Sequence, residues 1–180
     1  MNTWRDLPGK IWVTLASFDP RLGSRARDAA ESLTPRERGL FMFMNRYDLA
    51  HSLAVASRFE DEPLLYKAAL LHDAGKLRSD ASMFSRWLYT GMELFMPLRL
   101  KRISTELEAD VAGDTALQRT RSLPRGWRRG IYLQLHHGEV GADLLRDIDS
   151  DREVIRLVRG HQGESTDELS RRLAEVDDIF

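Results

Sequence analysis

The chain has five histidines, His51, His72, His136, His137 and His161, and no cysteine. Imidazole titrates near neutral pH and ligates metals, so the company each histidine keeps decides what it can do. His51 lies with Leu49 and Leu53 in an otherwise apolar stretch, and His72-Asp73 closes the apolar run Ala68-Ala69-Leu70-Leu71. Polar groups at the end of a buried stripe need partners, because an unsatisfied one costs about 1–3 kcal/mol. A single metal ion would partner both. A purely structural account covers part of this segment. Gly75 is a natural helix stop, and His72 and Lys76 suit the negative end of a helix. That account leaves out Asp73, whose charge has the wrong sign there unless a cation is near. Imidazole and carboxylate together suit Mn, Fe, Co, Ni, Zn or Mg. Without cysteine there is no disulfide scaffold, thiolate zinc site, iron–sulfur cluster or cysteine nucleophile. The same absence fits a cytoplasmic setting.

The elements that must hold these residues read as helix after helix. Alternating β-branched runs are missing, and breakers recur at Asp19-Pro20, Thr34-Pro35, Pro63, Gly75, Pro97, Gly113, Pro124, Gly138 and Gly160. The 180 residues suffice for one domain with its own core. We expect an all-α, single-domain helical bundle, in which residues 1–34 form a helical extension packed on a main body of residues 35–180. Thr34-Pro35-Arg36-Glu37 predicts a helix start with a capping box, and Asp48 is expected to cap the next helix. Later helices are predicted at about 80–95, 98–110, 126–136, 139–148, 151–160 and 166–178, from periodicity and breakers.

Lys and Arg total 27 against 28 Asp and Glu, which is far from the basic excess of a protein that coats nucleic acid, so no stable nucleic-acid complex is expected. Arg119, Arg121, Arg125, Arg128 and Arg129 form a local basic cluster that could attract phosphate or simply be solvated. The most apolar window, Trp87–Leu98, includes Glu93 and Pro97 and is too short to span a bilayer. It could lie on a membrane or cover a site, but a buried helix is the expectation. Met92, Phe95 and Met96 in this window are expected to pack in the core, with a pocket wall as the alternative.

Taken in order, His51, His72-Asp73, His137, His161 and Asp177 resemble the HD-domain superfamily of metal-dependent phosphohydrolases. Ala68–Lys76 resembles the subgroup in which the His-Asp pair is followed by a small residue, glycine and lysine. Asp48–Ala56 resembles the first-histidine helix. His137-Gly138-Glu139-Val140-Gly141-Ala142 resembles the third-histidine segment, with glycine where proline is common. Val158–His161 resembles the fourth-histidine segment, and Leu173–Asp178 the closing helix. The Gly-Tyr-Pro signature of the cyclic-dinucleotide phosphodiesterase subgroup is absent, which disfavours that activity. The resemblance favours Asp177 over the adjacent Asp178 as a ligand. Only three residues follow Asp177, and a frayed helix end could hold its carboxylate loosely.

The resemblance implies a bundle of the HD type that hydrolyses a phosphate ester or anhydride, as a phosphomonoesterase, phosphodiesterase or nucleotide hydrolase. Its substrate would be small and phosphorylated, with a nucleotide foremost. His51, His72, Asp73 and Asp177 would hold one divalent ion. His137 and His161 would add a second, bridged to the first through Asp73, so that the pair could clamp a phosphate and activate water. Lys76 and Arg46 would meet phosphate oxygens. His136 cannot share a face with His137, since neighbours on a helix point about 100° apart, and so falls outside the site. A histidine at a helix C-terminus can also serve as a charged cap, which is the structural alternative for His161. The alternative function is a metal-stabilised ligand-binding or signalling module without turnover.

Overall fold

A computed structural model describes residues 7–76, 83–162 and 167–180, and the side chains of residues 83–86 are not among those described. Among these residues there are eleven α-helices and no strand. The chain opens with α1 (Leu7–Ala16), α2 (Leu22–Ala29) and a 3₁₀ turn at Ala30–Ser32. It continues with α3 (Pro35–Phe43), α4 (Arg46–Ala56), α5 (Pro63–Leu71), a 3₁₀ turn at His72–Gly75, α6 (Met83–Phe95), α7 (Pro97–Asp110) and α8 (Ala116–Ser122). It ends with α9 (Trp127–Asp147), α10 (Arg152–Gly160) and α11 (Glu168–Asp177).

Several starts and stops follow local chemistry. Thr34 caps α3 with the full capping box, its side chain accepting from the Glu37 N–H while Glu37 accepts from the Thr34 N–H. The cap of α4 is Asn45 rather than Asp48. The Asn45 side chain accepts from the Asp48 N–H at 3.0 Å, and Asp48 sits buried in the first turn, where its charge suits the positive helix end. The extended conformation of Asn45 places the cap of the helix three residues before Asp48.

The expected break at Gly138 does not occur, and α9 runs unbroken through 21 residues. A glycine in a helix interior costs about 1 kcal/mol, and packing explains its presence. A Cβ on Gly138 would stand 3.0 Å from the Val158 carbonyl oxygen and 3.2 Å from the His161 ring. The glycine lets the end of α10 approach α9. The expected pair of helices at 126–136 and 139–148 is therefore one helix, and it serves as the spine of the molecule.

Two larger bodies of core meet along that spine. The first joins Val13, Leu22 and Ala26 of the N-terminal helices to Phe41, Val55, Leu65, Leu71, Leu145, Leu157 and Leu173. Residues 7–34 thus share one core with the body they pack on. The second gathers Met92, Leu100, Leu107, Ile131 and Tyr132 around the first half of α9. The apolar window is only half buried in it. Met92 is in the core, but Trp87, Phe95, Met96 and Leu98 are exposed, because one face of α6 suffices to pack on α9 and the chain turns at Pro97. No described helix is long and apolar enough to cross a membrane.

Candidate metal centre

The functional side chains come from separate elements that the core brings together. His51 projects from the middle of α4. His72 and Asp73 sit in the 3₁₀ turn that ends α5, His137 in the middle of α9, His161 at the end of α10, and Asp177 at the end of α11. His51, His72, Asp73, His137 and His161 are all buried. The rings form a chain, His51–His72–His161–His137, with successive centroids 5.1 Å apart. The turn can lie against α9 because both contacts are glycine. A Cβ on Gly75 would collide with the His137 backbone, and Gly141 faces Gly75 in the next turn of α9.

The carboxylates lie between the rings. Asp177 Oδ1 is 2.6 Å from His51 Nε2 and 3.1 Å from His72 Nε2. Asp73 turns Oδ2 toward His51 Nε2, at 3.8 Å, and Oδ1 toward His137 Nε2, at 3.2 Å, and His72 Nε2, at 3.5 Å. Lys76 Nζ spans both Asp73 oxygens at 2.7 and 2.8 Å. His51, His72 and Asp177 form one group whose ligand atoms lie within 4.8 Å of one another, and His72, Asp73 and His161 form a second. The end of α11 is held in place. The Trp12 and Phe180 rings lie 6.0 Å apart, and Gly9 lets α1 approach the Ile179 carbonyl. The loosely held Asp177 carboxylate expected from a frayed end is therefore not observed.

Ring orientation is set by the backbone. His72 Nδ1 faces the Ala69 carbonyl at 2.7 Å, and His161 Nδ1 faces the Val158 carbonyl at 2.6 Å. A carbonyl only accepts, so these Nδ1 atoms carry hydrogen, and a neutral ring then offers its Nε2 lone pair. His137 Nδ1 lies between the Gln134 carbonyl, at 2.9 Å, and Gln162 Nε2, at 2.7 Å. The Nε2 atoms of His137 and His161 face each other at 3.2 Å. His51 Nδ1 is buried without a hydrogen-bond partner among the described residues.

The electrostatics follow from burial and the two carboxylates. Burial opposes charge on His72, but Asp73 and Asp177 outweigh it and raise its pKa to about 9. Burial and the Lys76 charge hold His137 down to about 4, while burial with His72 and His137 holds His161 down to about 3. Burial thus disfavours His161 as a charged helix cap. Burial also lowers His51, against the pull of Asp177. Burial would raise both aspartates, yet Lys76 and His72 hold Asp73, and His72 and His51 hold Asp177, well below the usual carboxylate range. The two negative charges are thus answered by Lys76 and a protonated His72. A divalent cation would carry the same charge, and the donor set fits it: oriented imidazole nitrogens and carboxylate oxygens facing one another in a buried wall.

His51, Lys76, His137, His161 and Asp177 of the cluster line a cavity of about 630 Å³, and His72 and Asp73 are not among its lining residues. Its other walls include Lys10 of α1, Tyr47, Trp87, Tyr89, Thr90 and Glu93, with Gln134, Gln162 and Asp178. Most of these were not singled out from the sequence. Tyr47 could have been, since it lies one turn before His51 and its ring stacks on that imidazole with centroids 6.4 Å apart. Trp87, Thr90 and Glu93 show helical spacing, which alone does not distinguish a pocket wall from core. Burial, with the Glu93 charge, pushes the Tyr89 hydroxyl up to about 12.

Arg46 lies outside this group. Its guanidinium donates to the Ser17 carbonyl at 2.8 Å and the Asp19 carbonyl at 2.7 Å, tying α4 to the end of α1. His136 points away from the cluster, with Nε2 2.6 Å from Glu108. In the arginine cluster, Arg119 meets Glu139 and Arg128 meets Asp110, and none of the five arginines lines the cavity. Compared with known protein families, curated proteins and solved structures, the chain matches none of them.

Proposed function

We propose that this protein is a metal-dependent phosphohydrolase of the HD-domain type, acting on a small phosphorylated substrate, with a nucleotide foremost. One observation carries the reading: four imidazoles and two carboxylates, drawn from five separate parts of the chain, converge in one cluster, of which His51, His137, His161 and Asp177 line a cavity. A packed core gains nothing from such a cluster, because each buried polar group must recover its lost hydration. His51, His72, Asp73 and Asp177 would hold one ion, and Asp73, with its two oxygens facing opposite sides, would share a second with His137 and His161. When bound, divalent metal supplies the positive charge that activates water and neutralises charge on phosphate oxygens.

The remaining steps belong to the chain's own groups. Lys76, relieved of Asp73, is free to turn its ammonium to a phosphate oxygen across the cavity. The Ala69 and Val158 carbonyls keep the His72 and His161 rings aimed inward. Tyr47 and Trp87 offer apolar faces to the leaving group, and Glu93 can accept a hydrogen bond from it.

The test has two parts. Elemental analysis after mild purification is expected to find at least about one transition-metal ion per chain. A panel of aryl phosphate and nucleotides, run with Mn, Co, Ni, Fe and Mg, is expected to find turnover. Metal binding without turnover on any compound would favour the non-hydrolytic module, and no affinity for any divalent ion would overturn the metal centre itself.

A further inference from the structure

The large apolar side chains left exposed are not scattered. Of the eleven that are exposed among the described residues, four follow α1: Ile11, Trp12, Leu15 and Phe18. Four more follow α6 and its turn into α7: Trp87, Phe95, Met96 and Leu98, the last 84% exposed. Single exposed apolar residues are ordinary on a soluble protein, but a concentration on two helices calls for a cause. Both helices border the same cavity, α1 through Lys10 and α6 through Trp87.

Charge narrows the cause. Acids and bases are nearly balanced over the whole chain, yet residues 7–18 contain Lys10 and no carboxylate, and residues 94–105 contain Arg99, Lys101 and Arg102 and no carboxylate. Arg102 pairs with Glu106 one turn on. Arg99 and Lys101 are exposed and have no ion-pair acceptor among the described residues. The acids of α7 are confined to its far end, from Glu106 to Asp110. A protein partner's apolar patch would call for no such one-sided charge. Exposed aromatic and aliphatic side chains beside Arg99 and Lys101, with Glu93 turned to the cavity and Asp19 and Glu106 at the ends of the two stretches, are complementary to the headgroup layer of an anionic bilayer.

We propose that the protein docks on anionic lipid membranes through α1 and the α6–α7 corner, with the cavity facing the bilayer surface. Leu98 and Met96 enter the acyl boundary, Arg99 and Lys101 meet lipid phosphates, and Leu15 and Phe18 make the second apolar contact. This surface is distinct from the buried cluster, so the inference does not depend on the catalytic reading.

Sedimentation with vesicles tests it, using full-length protein and two lipid mixtures: phosphatidylcholine alone, and equal parts phosphatidylcholine and phosphatidylglycerol. Wild type is expected to bind the anionic vesicles, to bind neutral ones far less, and to release as salt rises. Arg99→Glu with Lys101→Glu is expected to weaken binding at least about twentyfold. Met96→Ser with Leu98→Ser, and separately Leu15→Ser with Phe18→Ser, are each expected to weaken it about tenfold. All six positions are exposed, so each variant should keep the wild-type circular dichroism spectrum and melting temperature, which are measured alongside. Failure of the wild type to bind anionic vesicles would overturn the proposal, as would binding indifferent to all three variants. A concentration-dependent dimer in analytical ultracentrifugation, dissolved by the same substitutions and unable to bind vesicles, would assign the surface to a second copy of the chain instead.

Discussion

Gly75→Ala tests the packing that assembles the cluster, independently of any metal. A Cβ at this position would lie 1.9 Å from the His137 carbonyl oxygen and 2.6 Å from the Gly141 nitrogen, where ordinary contact begins at 3.4 Å. The atoms in the way are backbone of a continuous helix and cannot swing aside. To fit the methyl group, α9 or the His72–Gly75 turn must withdraw by about 1.5 Å, a shift larger than packed interiors tolerate. Overpacking against movable side chains costs about 1–3 kcal/mol, and against backbone it should exceed the upper figure. For a chain of this size, 3 kcal/mol lowers the melting temperature by roughly 6–12 °C. The same shift would part His137 from Asp73, now 3.2 Å apart, so metal affinity should fall as well. Urea unfolding followed by circular dichroism measures the first effect, and calorimetric metal titration the second. Gly39→Ala is the control. It lies within α3 with nothing within 4 Å of a new Cβ, and should gain about 0.5–1 kcal/mol. If Gly75→Ala is as stable as wild type, the account of why the turn reaches α9 is wrong.

Lys76→Ala is expected to keep its bound metal and lose at least about tenfold in turnover, because the ammonium is assigned to substrate. Loss of the ion, read by elemental analysis, would return Lys76 to the support of Asp73. Arg46→Ala is expected to lower stability by about 1 kcal/mol and to speed hydrogen exchange in residues 7–19, since its two bonds go to backbone carbonyls. A raised KM with unchanged exchange would instead put Arg46 on the substrate. Glu37 gives a pH prediction. Burial would raise its pKa, but hydrogen bonds from Ser150, Lys67 and Thr34 outweigh this and lower it. A carboxylate depressed in the folded state adds stability that is fully present above its unfolded pKa of about 4.3 and is lost as pH falls through the folded value. Urea midpoints of wild type should therefore fall more steeply below about pH 4.3 than those of Glu37→Gln, and parallel curves would count against the network.

All-helical architecture and the Thr34 cap were legible in the sequence, while the grouping of His51 with His72 and Asp73 was expected from ligand chemistry and the family resemblance. The first two depend on periodicity, breaker residues and neighbours along the chain, which act within a few residues. Gly138 was misread for the same reason. A glycine that breaks a helix and one that admits another helix look alike until the other helix is known. Asp48 was misread because an aspartate at the cap and one in the first turn both favour a helix start, and only the extended backbone at Asn45 separates them.

The resemblance favoured Asp177 over Asp178, but the contact of its carboxylate with the histidines and the turning of Arg46 to the N-terminal segment are matters of long-range geometry. Asp177 meets histidines 126 and 105 residues earlier in the chain, and Arg46 finds its carbonyls at Ser17 and Asp19. The ring orientations of His72 and His161, and the exposure of one end of the apolar window, are likewise properties of packing. Residue types and spacing determined which groups were available for metal chemistry, because ligand chemistry is a property of the side chain. Only the tertiary structure decided which of them meet, because that depends on how α9 lies against the His72–Gly75 turn, and that in turn on two glycines whose role is to leave space.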